Sequence, residues 1–148
     1  MRTRLTLILL IAMAVIAPAR AASPGALGRW LTASGNVEVT IGPCGPRLCG
    51  FVSRVFANNS MESGGVSKAP PPKIGMRILS DVRLDGDGWT GRIFDRENGR
   101  TYDCQMTLQS ADRLAVRAYI VLPVFGKTQI WRRMPGWGAL RRRPETRN

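Results

Sequence analysis

The chain has 148 residues, 22 Lys/Arg against 10 Asp/Glu, and a formal net charge of +12. It contains no histidine, which excludes Ser-His-Asp and Cys-His catalysis, zinc-protease motifs and histidine-based pH sensing. Its length allows one domain with a single core.

The first elements are those of an export signal. Arg2 and Arg4 precede an apolar run from Leu5 to Ala17, Pro18 breaks it, and Ala19-Arg20-Ala21 fits cleavage after Ala21. The run is shorter than the roughly 20 residues a spanning helix needs, so a cleaved signal peptide over 1–21 is preferred to an uncleaved anchor. No cysteine sits just after the cleavage point, so no lipoprotein anchor is expected, and no second long apolar run follows in the chain, so no transmembrane segment is expected after cleavage. The expected location is periplasmic or secreted. That location argues against nucleic acid as a partner despite the high charge, and favours an anionic envelope surface.

Residues 22–27 read as a linker. From Gly28 onward the chain reads as strands: Gly28–Ala33; then Asn36–Gly42, with Val37, Val39 and Ile41 on one face; then Leu48–Phe56 after a GPCGP turn. Residues 57–75, rich in Asn, Ser, Gly and Pro, are loop, either mobile or lying across a barrel opening. Met76–Leu84 resumes as a strand with Ile78, Val82 and Leu84 in phase. Asp85-Gly86-Asp87-Gly88 is a turn; Asp and Gly suit a hairpin, and the further acidic residues of a calcium loop are missing.

Gly88–Arg133 gives four strands with nothing helical between them. Tyr102, Cys104, Met106 and Leu108 form one row, and Leu114, Val116, Ala118, Ile120 and Leu122 the next, which is the period of half-buried antiparallel sheet. Arg96-Glu97-Asn98-Gly99 is the turn between two of them. About eight strands with hairpin-type connections predict an all-β chain. The expected form is a single antiparallel up-and-down β-barrel over residues 28–133, with the architecture of lipocalins and streptavidin; an open sandwich is the alternative. Residues 134–148 read as a basic, disordered tail, in which Arg141, Arg142 and Arg143 follow Trp137. An aromatic beside a basic run also suits anionic headgroups.

Cys44 and Cys49 flank a short loop with side chains on the same side of one hairpin, which predicts a disulfide outside the cytosol; a redox pair is the rival. Cys104 shares the buried parity and is expected as an inert thiol. Asn58-Asn59-Ser60 matches a glycosylation pattern, read here as chance. Asp95, Glu97 and Asp103 fall near one turn and are expected to be solvated. Arg117 and Tyr119 oppose the apolar row, and Gln129 and Trp131 share a face on the next strand. If those strands pair, the four form a polar-aromatic recognition patch, to which Trp30 and Trp89 add, or else cross-strand pairs that only stiffen the sheet. No catalytic residue, metal site or cofactor is expected, and the chain is expected to be a monomer.

Taken together, Gly28 and Trp30; Asp95, Gly99 and Tyr102; Val116, Arg117 and Tyr119; and Gly126, Thr128, Gln129, Trp131 and Arg133 give the chain a family likeness. It resembles the domain of unknown function 2147 family of small exported bacterial proteins. The resemblance implies a compact barrel-like domain and no established activity. Two positions depart from it: Ala118 and Val121 stand where the family usually has glycine, and PPPKIGM replaces a Pro-Leu-Cys-Gly piece. Two function classes follow: a non-enzymatic exported barrel holding a small apolar or amphipathic ligand, and a structural or interaction protein of the envelope working through its surface and tail.

Overall fold

A computed structural model describes residues 25–136. The expected signal peptide and most of the basic tail, including Arg141, Arg142 and Arg143, lie outside the described residues.

Eight strands close an antiparallel barrel in which each strand pairs with its neighbour in sequence and the last pairs with the first. They are β1 (Gly28–Leu31), β2 (Val37–Cys44), β3 (Arg47–Val55), β4 (Arg77–Asp85), β5 (Gly88–Asp95), β6 (Arg100–Ser110), β7 (Arg113–Tyr119) and β8 (Lys127–Arg133). Closure is made by Trp30 opposite Arg133 and Leu31 opposite Arg132. It removes the exposed sheet edges that eight amphipathic strands would otherwise present.

Period two explains the core. Val39, Val52, Leu79, Cys104, Met106, Leu114 and Val116 all turn inward and are buried. Burying each large aliphatic side chain stabilises by about 1.5–3 kcal/mol, before the entropy of ordering the chain is set against it. Gly50 faces inward between two of these walls. A Cβ there would lie 2.9 Å from Val39 Cγ1 and 3.1 Å from Leu79, so the missing side chain lets β2 and β4 meet across β3.

Three local expectations are corrected. In β4 the phase shifts: Leu79 and Val82 are buried, whereas Leu84 is 74% exposed and Ile78 only half-buried. The cause is a register irregularity between Ser80 and Arg83, where Asp81 takes a positive φ of 53°. In β7 the strand ends at Tyr119, so Ile120 and Leu122, expected inside, are exposed. Past that point Val121 has a φ of 68°, and a short 3₁₀ turn, Pro123–Phe125, stands where nothing helical is expected.

The disulfide joins Cys44 and Cys49 with a Cα separation of 5.5 Å. The loop between the strands is only Gly45-Pro46, with Gly45 at a φ of 63°. Cys49 is therefore opposite Gly42, and the bridge crosses the hairpin diagonally rather than between directly opposed residues. Cys104 is free and buried; burial, then the charge of Asp103, push its thiol up to about 12.

Candidate functional site

The two ends of the barrel are built differently. At one end lie the β2–β3, β4–β5 and β6–β7 turns and the entry to β1. There Trp30 is fully buried, and its indole N–H donates to the Ala26 carbonyl at 2.9 Å. The Arg133 guanidinium sits 4.1 Å from the Trp30 ring centroid. It donates to the carbonyls of Ala111 (2.6 Å), Leu27 (2.8 Å) and Gly25 (2.7 Å). This plug ties residues 25–27, expected as linker, to the last strand and to the β6–β7 turn. Trp89, the second residue of β5, lies at the same end and packs partly buried against the core.

The other end is open. A cavity of about 720 Å³ enters there. Val37, Ile93, Tyr102, Ala118, Gln129 and Trp131 line its inner part, and Asn36, Met61, Pro72, Asn98, Phe125 and Lys127 its rim. Trp131 is 1% exposed, and its indole N–H donates to Gln129 Oε1 at 3.2 Å. Asn98 donates to the Tyr102 hydroxyl at 2.8 Å, which holds a phenol at the rim. The inner wall is largely apolar, with the Tyr102 phenol and the Gln129 carboxamide set into it, while Glu62, Asp95, Arg96, Glu97 and Lys127 bring charge to the mouth. Such a lining can orient an amphipathic molecule.

The loop 57–75 lies across this opening, the second of its two expected placements. Asn36 grips it with both ends of its carboxamide: Oδ1 accepts from the Asn59 amide at 2.8 Å and Nδ2 donates to the Asn59 carbonyl at 2.7 Å. Across the mouth, Glu97 accepts from the Met61 amide (2.9 Å) and the Ser60 hydroxyl (3.2 Å), and Arg96 donates to the Pro70 carbonyl (2.7 Å). Glu97 and Asp95 are thus half-buried fasteners of the β5–β6 turn and the loop, not the free solvated carboxylates expected; Asp103 is exposed.

The predicted recognition patch divides. β7 and β8 do pair, with Val116 opposite Gln129 and Leu114 opposite Trp131. Period two then sends Gln129 and Trp131 inward and Arg117 and Tyr119 outward. Tyr119 stands at the lip, bordering both the mouth and a polar groove of about 440 Å³ on the outer wall beside Arg47, Asp81, Arg83 and Arg92. Arg117 grips the β7–β8 connection from outside, donating to the carbonyls of Pro123 and Val124 and to Thr128 Oγ1 (2.8 Å). Trp30 and Trp89 belong to the closed end. Tyr102 and Val37 were legible only as members of one-face rows, Ile93 was not singled out, and nothing in the sequence marks them as cavity walls.

Among the described residues, no helix is long and apolar enough to cross a membrane, and no group of three His, Cys, Asp or Glu gathers at one point.

No curated protein sequence matches the chain. Among solved structures it is similar to HP1028 of Helicobacter pylori, a protein of the lipocalin family, with a TM-score of 0.52 and 18% identity over 74% of this chain and 82% of that one. At that identity the likeness is one of fold. The family described as uncharacterized protein conserved in bacteria, DUF2147, matches residues 28–133, the whole of the barrel from β1 to β8, and the chain belongs to that family.

Proposed function

We propose that this protein is an exported, non-enzymatic barrel that holds one small apolar or amphipathic molecule in its open end. The observation that carries the reading is the cavity of about 720 Å³ over Trp131, within the size range of ligand pockets and closed below by a packed core. An apolar tail fits against Val37, Ile93, Ala118 and the Trp131 ring, and a polar head meets Tyr102 or Gln129 within or Asn98 at the rim. The loop 57–75, fastened on both sides of the mouth, narrows the entrance. The Cys44–Cys49 disulfide fits an oxidising compartment, as the signal-like start of the chain does.

The test is a tryptophan fluorescence titration of the full chain with a long-chain fatty acid and with a lysophospholipid. Saturable change in the wild type, lost in Trp131→Phe while binding persists by calorimetry, is the expected result. No binding of either probe by either method rejects the reading.

A further inference from the structure

We propose that the open end of the barrel docks on an anionic lipid bilayer, with the β7–β8 connection Ile120–Phe125 as the inserting element.

All but Leu27 and Leu84 of the exposed large apolar side chains among the described residues lie at the open end. Val121, Val124 and Phe125 are 82%, 71% and 79% exposed on consecutive turns of one loop. Met61, Val66 and Ile74 of the loop 57–75 stand exposed at the same end. A one-ended distribution of this kind marks a docking surface rather than scattered surface apolarity.

The backbone of the connection points to lipid as the partner. Entry into an apolar phase requires that polar main-chain groups already be satisfied. The amides of Leu122, Phe125 and Gly126 donate to the carbonyls of Ile120, Leu122 and Pro123 at 2.8, 3.2 and 3.0 Å. The Arg117 guanidinium takes the carbonyls of Pro123 and Val124 from outside the barrel. The loop therefore presents side chains with most of its main-chain hydrogen bonding already spent, and leaves little for a protein partner to read. The surrounding charge complements anionic headgroups. Lys68, Lys73, Arg100 and Lys127 are exposed at this end, and none has an ion-pair partner among the described residues. Of the nearby carboxylates, Asp95 and Glu97 are occupied in holding the rim, which leaves the exposed Glu62 against these four cations. Cations flanking an apolar tip are the pattern of an interfacial anchor.

Docked this way, the mouth faces the leaflet, and a lipid-like ligand passes between bilayer and cavity without crossing water. That consequence rests on the binding reading above; the docking itself does not.

The experiment uses the full chain with a nitrobenzoxadiazole label on Val124→Cys, and separately on Asp87→Cys in the β4–β5 turn at the closed end. Cys104 is buried and stays unlabelled. Vesicles of equal phosphatidylglycerol and phosphatidylethanolamine, with and without a doxyl-lipid quencher, are compared with phosphatidylcholine alone. The label at 124 is expected to shift blue and lose most of its emission to the quencher on anionic vesicles, and the label at 87 to do neither. Val121→Asp/Val124→Asp, at positions that do not line the cavity, is expected to lower vesicle partition by more than about tenfold. The proposal is overturned if the label at 124 is unmoved by vesicles, or if both labels respond alike. It is also overturned if the label at 124 is already blue in vesicle-free solution, which would mean that a second copy or the chain's own termini cover the rim. Absence of saturable fatty-acid binding in the wild type, with the label response intact, would sink the cavity reading and leave the docking standing.

Discussion

Arg133→Ala tests whether the closed end is held as described. Arg133 is the last residue of β8, opposite Trp30 in the pair that closes the barrel. It spends its guanidinium on three carbonyls and the face of one indole. A hydrogen bond from a charged donor is worth about 1.5–3 kcal/mol when dry. The side chain is only half-buried, so about 1 kcal/mol each is the better figure after solvent screening. The stacked cation adds about 0.5–1 kcal/mol at such exposure. The alanine variant should therefore lose about 3–4 kcal/mol. Arg133→Lys keeps the charge over Trp30 but cannot span three carbonyls, and should lose about 1–2 kcal/mol. The assay is equilibrium urea unfolding followed by tryptophan emission, with the slope unchanged so that the midpoint reports stability. A loss below about 0.5 kcal/mol for the alanine variant would refute the reasoning. So would a lysine variant as damaged as the alanine one.

Other expectations follow from single positions. Val121 holds a φ of 68° with its side chain in solvent, so Val121→Gly removes left-handed strain of about 1–2 kcal/mol against a smaller entropic cost; the variant should melt higher, by about 0.5–1 kcal/mol in stability. Cys44→Ala/Cys49→Ala opens a short loop and should lose about 2 kcal/mol under oxidising conditions, while reductant should then change the wild type and not the variant. The Cys104 thiol is raised from 9.0 to about 12 by burial, so the folded state holds its proton where the unfolded state has lost it. Stability from this source is complete below pH 9 and drains away as pH climbs toward 12, at up to about 1.4 kcal/mol per pH unit. Cys104→Ala should show a shallower alkaline decline in unfolding midpoint, and identical slopes would contradict the assignment.

Period two in β6 and β7 carries the fold plainly, because Tyr102 to Leu108 and Leu114 to Ala118 alternate without interruption. It fails where the chain leaves regular pleating. The phase of β4 is reset at Asp81, a single aspartate at positive φ inside a row that reads straight through it. The run Ile120-Val121-Leu122-Pro123-Val124-Phe125 continues the apolar row past the true end of β7, and apolarity alone does not tell a buried strand from an exposed loop. Val121 is informative in hindsight, since it occupies a glycine position of the resembled family and keeps the glycine conformation. The candidate site was half legible. Gln129 and Trp131 were singled out but grouped in one patch with Arg117 and Tyr119, outside or at a barrel mouth, because parity within one strand does not say which face of the closed barrel it addresses. The Trp30–Arg133 plug joins the first and last strands, and no local pattern predicts a contact between residues so far apart.

On the proposed reading, the space above Trp131 takes a ligand. Ala118 lines that space, and Ala118→Leu should fill part of it without touching the Trp30–Arg133 end. Native mass spectrometry of the full chain with a long-chain fatty acid, wild type beside Ala118→Leu, is the most direct measurement. One bound molecule per chain in the wild type and a marked loss in a variant that melts no lower is the expected outcome. Equal occupancy in both proteins, or none in the wild type, would contradict the account.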